Sequence, residues 1–212
     1  MTGPATSRAV PAGTADSPAV PGPVPRTLPW LLTLGGAIGL LAAFTLTVER
    51  FELLVDPSYT PSCSINPVLS CGSVMTTEQA ALFGFPNPLL GIAGFAVVLT
   101  SGVVLLAGAR LPLWYWGGLL AGAGAGTVFV HWLIFQSLYR IGALCPYCMV
   151  VWAVTIPIFA YVALAVLDRA GAAVRPLYAG LARYHAVPVV LWFVVIIGLA
   201  LQRFWTYWSS LL

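Results

Sequence analysis

Charge is what this sequence has least of. Only 7% of its 212 residues are charged, none is lysine, and the net charge of +3 comes from nine arginines against six acids. A soluble domain carries about a quarter of its residues as charges, so this chain cannot wet its own surface and reads as an integral membrane protein. Nine scattered arginines form no basic stripe, which excludes nucleic acid as a partner. Four cysteines are too few for a disulfide scaffold, and two separated histidines supply no metal-binding cluster. What the chain has in abundance is apolar: 60% of residues are hydrophobic and the mean hydropathy is +0.95.

A helix crossing the bilayer needs about 20 apolar residues, and five runs meet that length: 28–48, 89–109, 113–138, 146–167 and 187–207. The first leads into Glu49-Arg50-Phe51-Glu52 with no small-residue cleavage pattern, so it reads as a retained helix rather than a signal peptide. Residues 1–27, rich in Pro, Ala and Gly with no apolar period, are expected to form a disordered cytoplasmic tail. Short cytoplasmic segments hold the excess of positive charge. With the N-terminus inside, Arg8, Arg26, Arg110, Arg169, Arg175 and Arg183 are cytoplasmic, against Arg50, Arg140 and Arg203 outside. The loop 49–87 and the connection 139–144 then face the extracytoplasmic side, residues 168–186 form a cytoplasmic loop, and 187–212 carry the fifth helix. Gly35 and Gly39 in the first span, and Gly118, Gly122 and Gly126 in the third, recur at the spacing that lets helix backbones pack closely.

All four cysteines fall on the same expected face. Cys63 and Cys71 sit in the long loop, and Cys145-Pro146-Tyr147-Cys148 opens the fourth span. Proline suits the first helical position, which makes Cys145 the N-cap and puts Cys148 about one turn deeper. The unpaired N–H groups of a helix start stabilise a thiolate, as a redox-active C-x-x-C requires. Electrons pass between two such pairs by thiolate attack through a mixed disulfide, provided that a loop thiol reaches a fixed one. Thr76 and Gln79 stand at capping-box spacing ahead of Ala80, Ala81, Leu82, Phe83 and Phe85, which predicts a short amphipathic helix lying over the bundle. Two plainer readings compete. A structural zinc needs clustered thiolates, which pairs in separate loops on an oxidising face do not offer. Two stapling disulfides fit less well, because C-x-x-C at a helix start is a strained, reducible geometry.

These residues, in this order and on one face, resemble the bacterial branch of the vitamin K epoxide reductase family. The resemblance is carried by Cys63-x7-Cys71, by Phe83-Gly84-Phe85-Pro86-Asn87 leading into the second span and by Cys145-Pro146-Tyr147-Cys148, and it covers about residues 28–167. It implies an all-α integral membrane protein: a four-helix transmembrane bundle around a quinone, here with a fifth C-terminal helix. It implies an oxidoreductase of a bacterial inner membrane that passes electrons from Cys63 and Cys71 to Cys145 and Cys148 and on to menaquinone or ubiquinone. Its donor would be an extracytoplasmic thioredoxin-fold protein that forms disulfides in secreted substrates. Some relatives carry a fused thioredoxin-like domain; this chain stops soon after the fifth span, so the partner is expected to be a separate protein.

Asn87 matches the family's quinone-contacting asparagine; as a helix N-cap before Pro88 it has an equally sensible role. Trp152 lies four residues after Cys148, on the same helix face, where animal members have a tyrosine. That departure fits a plain quinone better than an epoxide, and simple packing is its alternative. His131, embedded in the third span, is expected to be neutral and bonded to a neighbouring helix, and His185 to lie at the cytoplasmic surface. Two rivals stand beside the leading function: a thiol-driven reductase of vitamin K epoxide or quinone, and a transporter or structural subunit whose cysteines are staples. The chain shows no internal repeat of the kind transporters carry.

Overall fold

The computed structural model describes residues 23–171 and 174–210. Its helices are α1 (Pro23–Val55), α2 (Cys71–Met75), α3 (Pro88–Leu106), α4 (Leu113–Phe135), α5 (Pro146–Arg169), α6 (Arg175–Arg183), α7 (Ala186–Arg203) and α8 (Trp205–Ser209). Among the described residues there is no strand, only one isolated parallel bridge between Leu69 and Leu144. The fold is all-α, and α1, α3, α4, α5 and α7 are long and apolar enough to cross a membrane. Large apolar side chains such as Trp30, Leu41, Phe44, Trp114 and Val128 point outward, as a lipid-facing surface requires. Most of the expected tail lies outside the described residues, and helix begins at Pro23 rather than at residue 28.

Helix α1 runs past residue 48 because Leu53-Leu54-Val55 keep it apolar, and it stops before Asp56-Pro57, where proline disfavours helical geometry in the residue ahead of it. Close packing at its glycines follows the spacing. A side chain at Gly36 would stand 2.6 Å from the backbone N of Leu99, one at Gly39 would strike the Phe95 ring, and one at Gly35 would crowd Ile158. Helix α1 therefore lies against both α3 and α5, and α4 packs on α5. The third-span glycines differ from the expectation. Nothing stands within 4 Å of a side chain built on Gly118 or Gly122, because α3 and α4 scarcely meet and the gap between them is a cavity.

Three local readings are corrected. No continuous amphipathic helix covers 76–85: Thr76 ends α2, its hydroxyl donating to the Gly72 carbonyl, and a 3-10 turn (Glu78–Ala81) follows. The capping role belongs to Ser70, whose hydroxyl accepts from the Ser73 N–H at 3.2 Å. The loop expected at 168–186 contains α6. His185, for its part, is half-buried and stands 2.6 Å from the Tyr161 hydroxyl.

His131 bonds to a neighbouring helix as expected, but it stands exposed on the outer face of α4 rather than buried. The Trp192 indole N–H of α7 donates to its Nε2 at 2.6 Å, which leaves the proton on Nδ1, 2.8 Å from the Thr127 carbonyl. That bond helps to hold α7, which has no buried residue of its own. A second tie runs from Arg203 Nε to the Leu138 carbonyl at 2.8 Å, and Phe204 packs with Val68, Leu138 and Trp152.

Candidate functional site: a sulfur relay above an apolar cavity

The loop and the start of α5 are brought together by backbone. The Leu144 N–H donates to the Val68 carbonyl at 2.7 Å and the Ser70 N–H donates to the Leu144 carbonyl at 2.9 Å. The next residue on each strand of this clasp is a cysteine, so the bridge sets Cys71 beside Cys145. Helix α4 prepares the approach: it finishes in a π-helical turn (Gln136–Ile141), and Gly142 at φ 74° turns the chain toward Leu144. Such turns recur at functional sites.

Cys63 and Cys71 are joined in a disulfide. The Cys145 sulfur stands 3.0 Å from the Cys71 sulfur, and all three sulfurs lie within 4.8 Å of one another. Cys71 and Cys145 are fully buried and Cys63 nearly so. With two of the three sulfurs tied in a disulfide, the cluster has only one thiolate to offer a metal. Cys145 is the N-cap of α5 with Pro146 behind it, and its sulfur accepts from the Cys148 N–H at 3.4 Å. The Cys145 thiol is held below its ordinary range, chiefly by a hydrogen bond from the Cys148 side chain; burial pushes the other way, and the backbone N–H groups of Cys148 and Tyr147 add to the lowering.

One turn further along α5, Cys148 lies in the wall of a cavity of about 510 Å³. The cavity is walled by α1, α3, α4 and α5 and capped by Val74, Met75 and Ala80 of the loop. Trp152, 5% exposed, lines it on the same face of α5 as Cys148, and Asn87 lines it from the start of α3. The glycines of α4 line it too, their missing side chains widening the space.

Asn87 occupies the N-cap position of α3, but its backbone is already helical and its side chain makes no capping bond. Instead its Nδ2 donates to the Gln79 carbonyl at 2.7 Å and its Oδ1 accepts from the Leu82 N–H at 3.1 Å. It ties the 3-10 turn to α3 and keeps one amide hydrogen unspent.

Two functional groups escape a reading of the sequence, where Glu49 and Arg50 look like loop charges at the end of a span. The extra turns of α1 put both inside the site. Glu49, 6% exposed, accepts from the Ser62 N–H and hydroxyl and from the Tyr59 hydroxyl at 3.0 Å, fixing the residue next to Cys63. Arg50 lines the cavity. The one signal in the sequence is the apolar triplet 53–55, which continues the helix beyond the charges.

No curated protein matches the chain significantly. The sequence model of the Vitamin K epoxide reductase family matches residues 30–163, well over half of the 212 residues. The matched stretch contains the clasp, all four cysteines and both cavity residues Asn87 and Trp152. A helical membrane protein with its sulfurs so arranged, and so matched, belongs to the Vitamin K epoxide reductase family and is an oxidoreductase acting on thiols and disulfides.

Proposed function

We propose that the protein is a membrane thiol:quinone oxidoreductase that reoxidises a separate thioredoxin-fold dithiol protein at the extracytoplasmic face of a bacterial inner membrane. The observation that carries this reading is a continuous path: Cys71 touches Cys145 on one side, and one helical turn away Cys148 opens into an apolar cavity on the other. The arginine distribution favours a cytoplasmic N-terminus, which puts the four cysteines outside.

The cavity suits a quinone. Its volume lies in the range of small-molecule sites. Its walls are apolar apart from a few groups, among them Cys148 and the Asn87 amide, and Trp152 offers a flat ring for stacking. Trp152 stands where animal members of the family have a tyrosine, a departure that favours a plain quinone, of the menaquinone or ubiquinone class.

The chain's own sulfurs do the exchange. A thiolate of the reduced partner attacks the Cys63–Cys71 disulfide, and completing that exchange leaves the partner oxidised and Cys63 and Cys71 as thiols. The Cys71 thiolate then attacks Cys145 in a Cys145–Cys148 disulfide, and Cys148 leaves as the thiolate. Cys63 next attacks Cys71, closing its own disulfide and freeing Cys145, whose thiolate the start of α5 stabilises. A bound quinone supplies the sink, taking two electrons and two protons as Cys145 and Cys148 return to the disulfide.

Cys148→Ser in native membranes tests the scheme. Quinone reduction with a dithiol donor is expected to fall to background while a Cys71–Cys145 mixed disulfide accumulates, visible by mass spectrometry of the peptides. Quinone reduction at the wild-type rate in that variant would remove Cys148 from the path and the scheme with it.

A further inference from the structure

We propose that Arg50 holds the oxygen end of the acceptor, its guanidinium donating to a carbonyl oxygen of the quinone. The inference rests on the quinone reading above. Three observations lead to it. Among the described residues, Arg50 is the sole charged side chain lining the 510 Å³ cavity. Arg50 is half-buried, and its Nε is buried with no hydrogen-bond partner, a donor whose cost is relieved when an acceptor arrives. The carboxylate beside it in sequence is not that acceptor, because Glu49 already serves Ser62 and Tyr59.

Arg50 shares the cavity with the other groups that would read the same ring. Cys148, Asn87 and Arg50 all line it, and Asn87 has committed one amide hydrogen to Gln79 and its oxygen to Leu82. A guanidinium presents several donors in a fixed fork, and its bonds are stronger when the acceptor carries charge. A quinone oxygen becomes more negative as two electrons reach the ring. The Arg50 contact therefore tightens during reduction, which is the kind of interaction that speeds a reaction rather than only binding its substrate.

The test is equilibrium binding, read by isothermal titration calorimetry on the purified full-length chain in detergent, so no turnover is needed. The probes are a short-chain 1,4-naphthoquinone and a naphthalene of the same size that lacks the two oxygens. Arg50→Gln is expected to weaken naphthoquinone binding about tenfold, the worth of one hydrogen bond to a charged group, and to leave naphthalene binding unchanged. Arg50→Lys keeps the charge but not the fork, and its smaller loss is expected to be confined to the naphthoquinone. Should Arg50→Gln fail to fold, the lysine variant decides alone. Unchanged naphthoquinone affinity in either variant, or an equal loss of both probes, overturns the proposal. Wild-type protein that binds no naphthoquinone overturns the quinone reading instead, a result that shows before any variant is made.

Discussion

Cys145 meets three demands with one side chain. It caps α5, it touches Cys71, and it sits one turn from the sulfur that lines the cavity. Hydrogen bonds from the Cys148 side chain and from two backbone N–H groups favour its charged form over the opposing effect of burial, so the thiolate persists at pH values where an ordinary thiol is protonated. Exchange through Cys145 is therefore expected to keep its rate as pH falls below the usual thiol pKa of about 8.5, and to decline only once pH passes the lowered value. Acid quenching of Cys71–Cys145 mixed-disulfide formation in the wild-type chain, where Cys148 keeps its hydrogen bond to Cys145, followed across neutral pH, measures this. A rate that drops about tenfold for each pH unit below about 8.5, as an unperturbed thiol would give, would contradict it. The role of Cys145 as a cap was legible from Pro146 alone, because proline is restricted to few places in a helix. The contact with Cys71 was not, since nothing local specifies which loop sulfur meets it.

Among the helices, glycine spacing carries two opposite meanings. On α1 the missing side chains let α3 come within contact, and a methyl at Gly36 or Gly39 would collide with Leu99 or Phe95. On α4 the same spacing faces empty space, and Gly118 and Gly122 widen the cavity. Gly122→Leu is expected to leave thermal stability undiminished, because its Cβ meets no heavy atom within 4 Å and opens into the cavity, and glycine is the poorer helix former by about 1 kcal/mol. The same change is expected to raise the KM for quinone roughly tenfold, the scale of one misplaced apolar group in a binding pocket. Thermal unfolding and quinone kinetics on one preparation check both signs, and an unaltered KM would mean that the ligand does not reach this wall. Five membrane helices were readable because each is a long uninterrupted apolar run. The segment 76–85 departs from the helix its sequence suggests because Thr76 is chemically able to start one helix or end another, and the fold gives the start to Ser70.

At the scale of the whole molecule, the sulfur-bearing loop is pinned at two points, to the helix that precedes it and to the entry of α5. The Leu69–Leu144 bridge ties it to the entry of α5, and Glu49 of α1 grips Ser62 and Tyr59. The first sets Cys71 against Cys145, and the second steadies Cys63. Glu49→Ala leaves the donors of Ser62 and Tyr59 without their acceptor, at a cost of about 1–3 kcal/mol. Lower thermal stability and a several-fold slower transfer from Cys71 to Cys145 are expected, while quinone reduction by a small dithiol acting directly on Cys145 and Cys148 stays near wild type. Equal loss at both steps would mean that Glu49 supports the bundle at large rather than the loop.

The sequence by itself determined the class of protein, the number of spans and the cap at Cys145. Each of these depends on composition, run length or neighbours within one helical turn. Only the tertiary structure decided that Cys71 is the sulfur facing Cys145, that the α4 glycines border a cavity instead of a helix, and that Glu49 and Arg50 belong to the site. Those facts depend on which helices and loops meet in space, across 74 residues for Cys71 and Cys145, or on how far α1 extends before Pro57. Hydrophobic burial and backbone pairing settle such matters jointly, and no local pattern of residues encodes them.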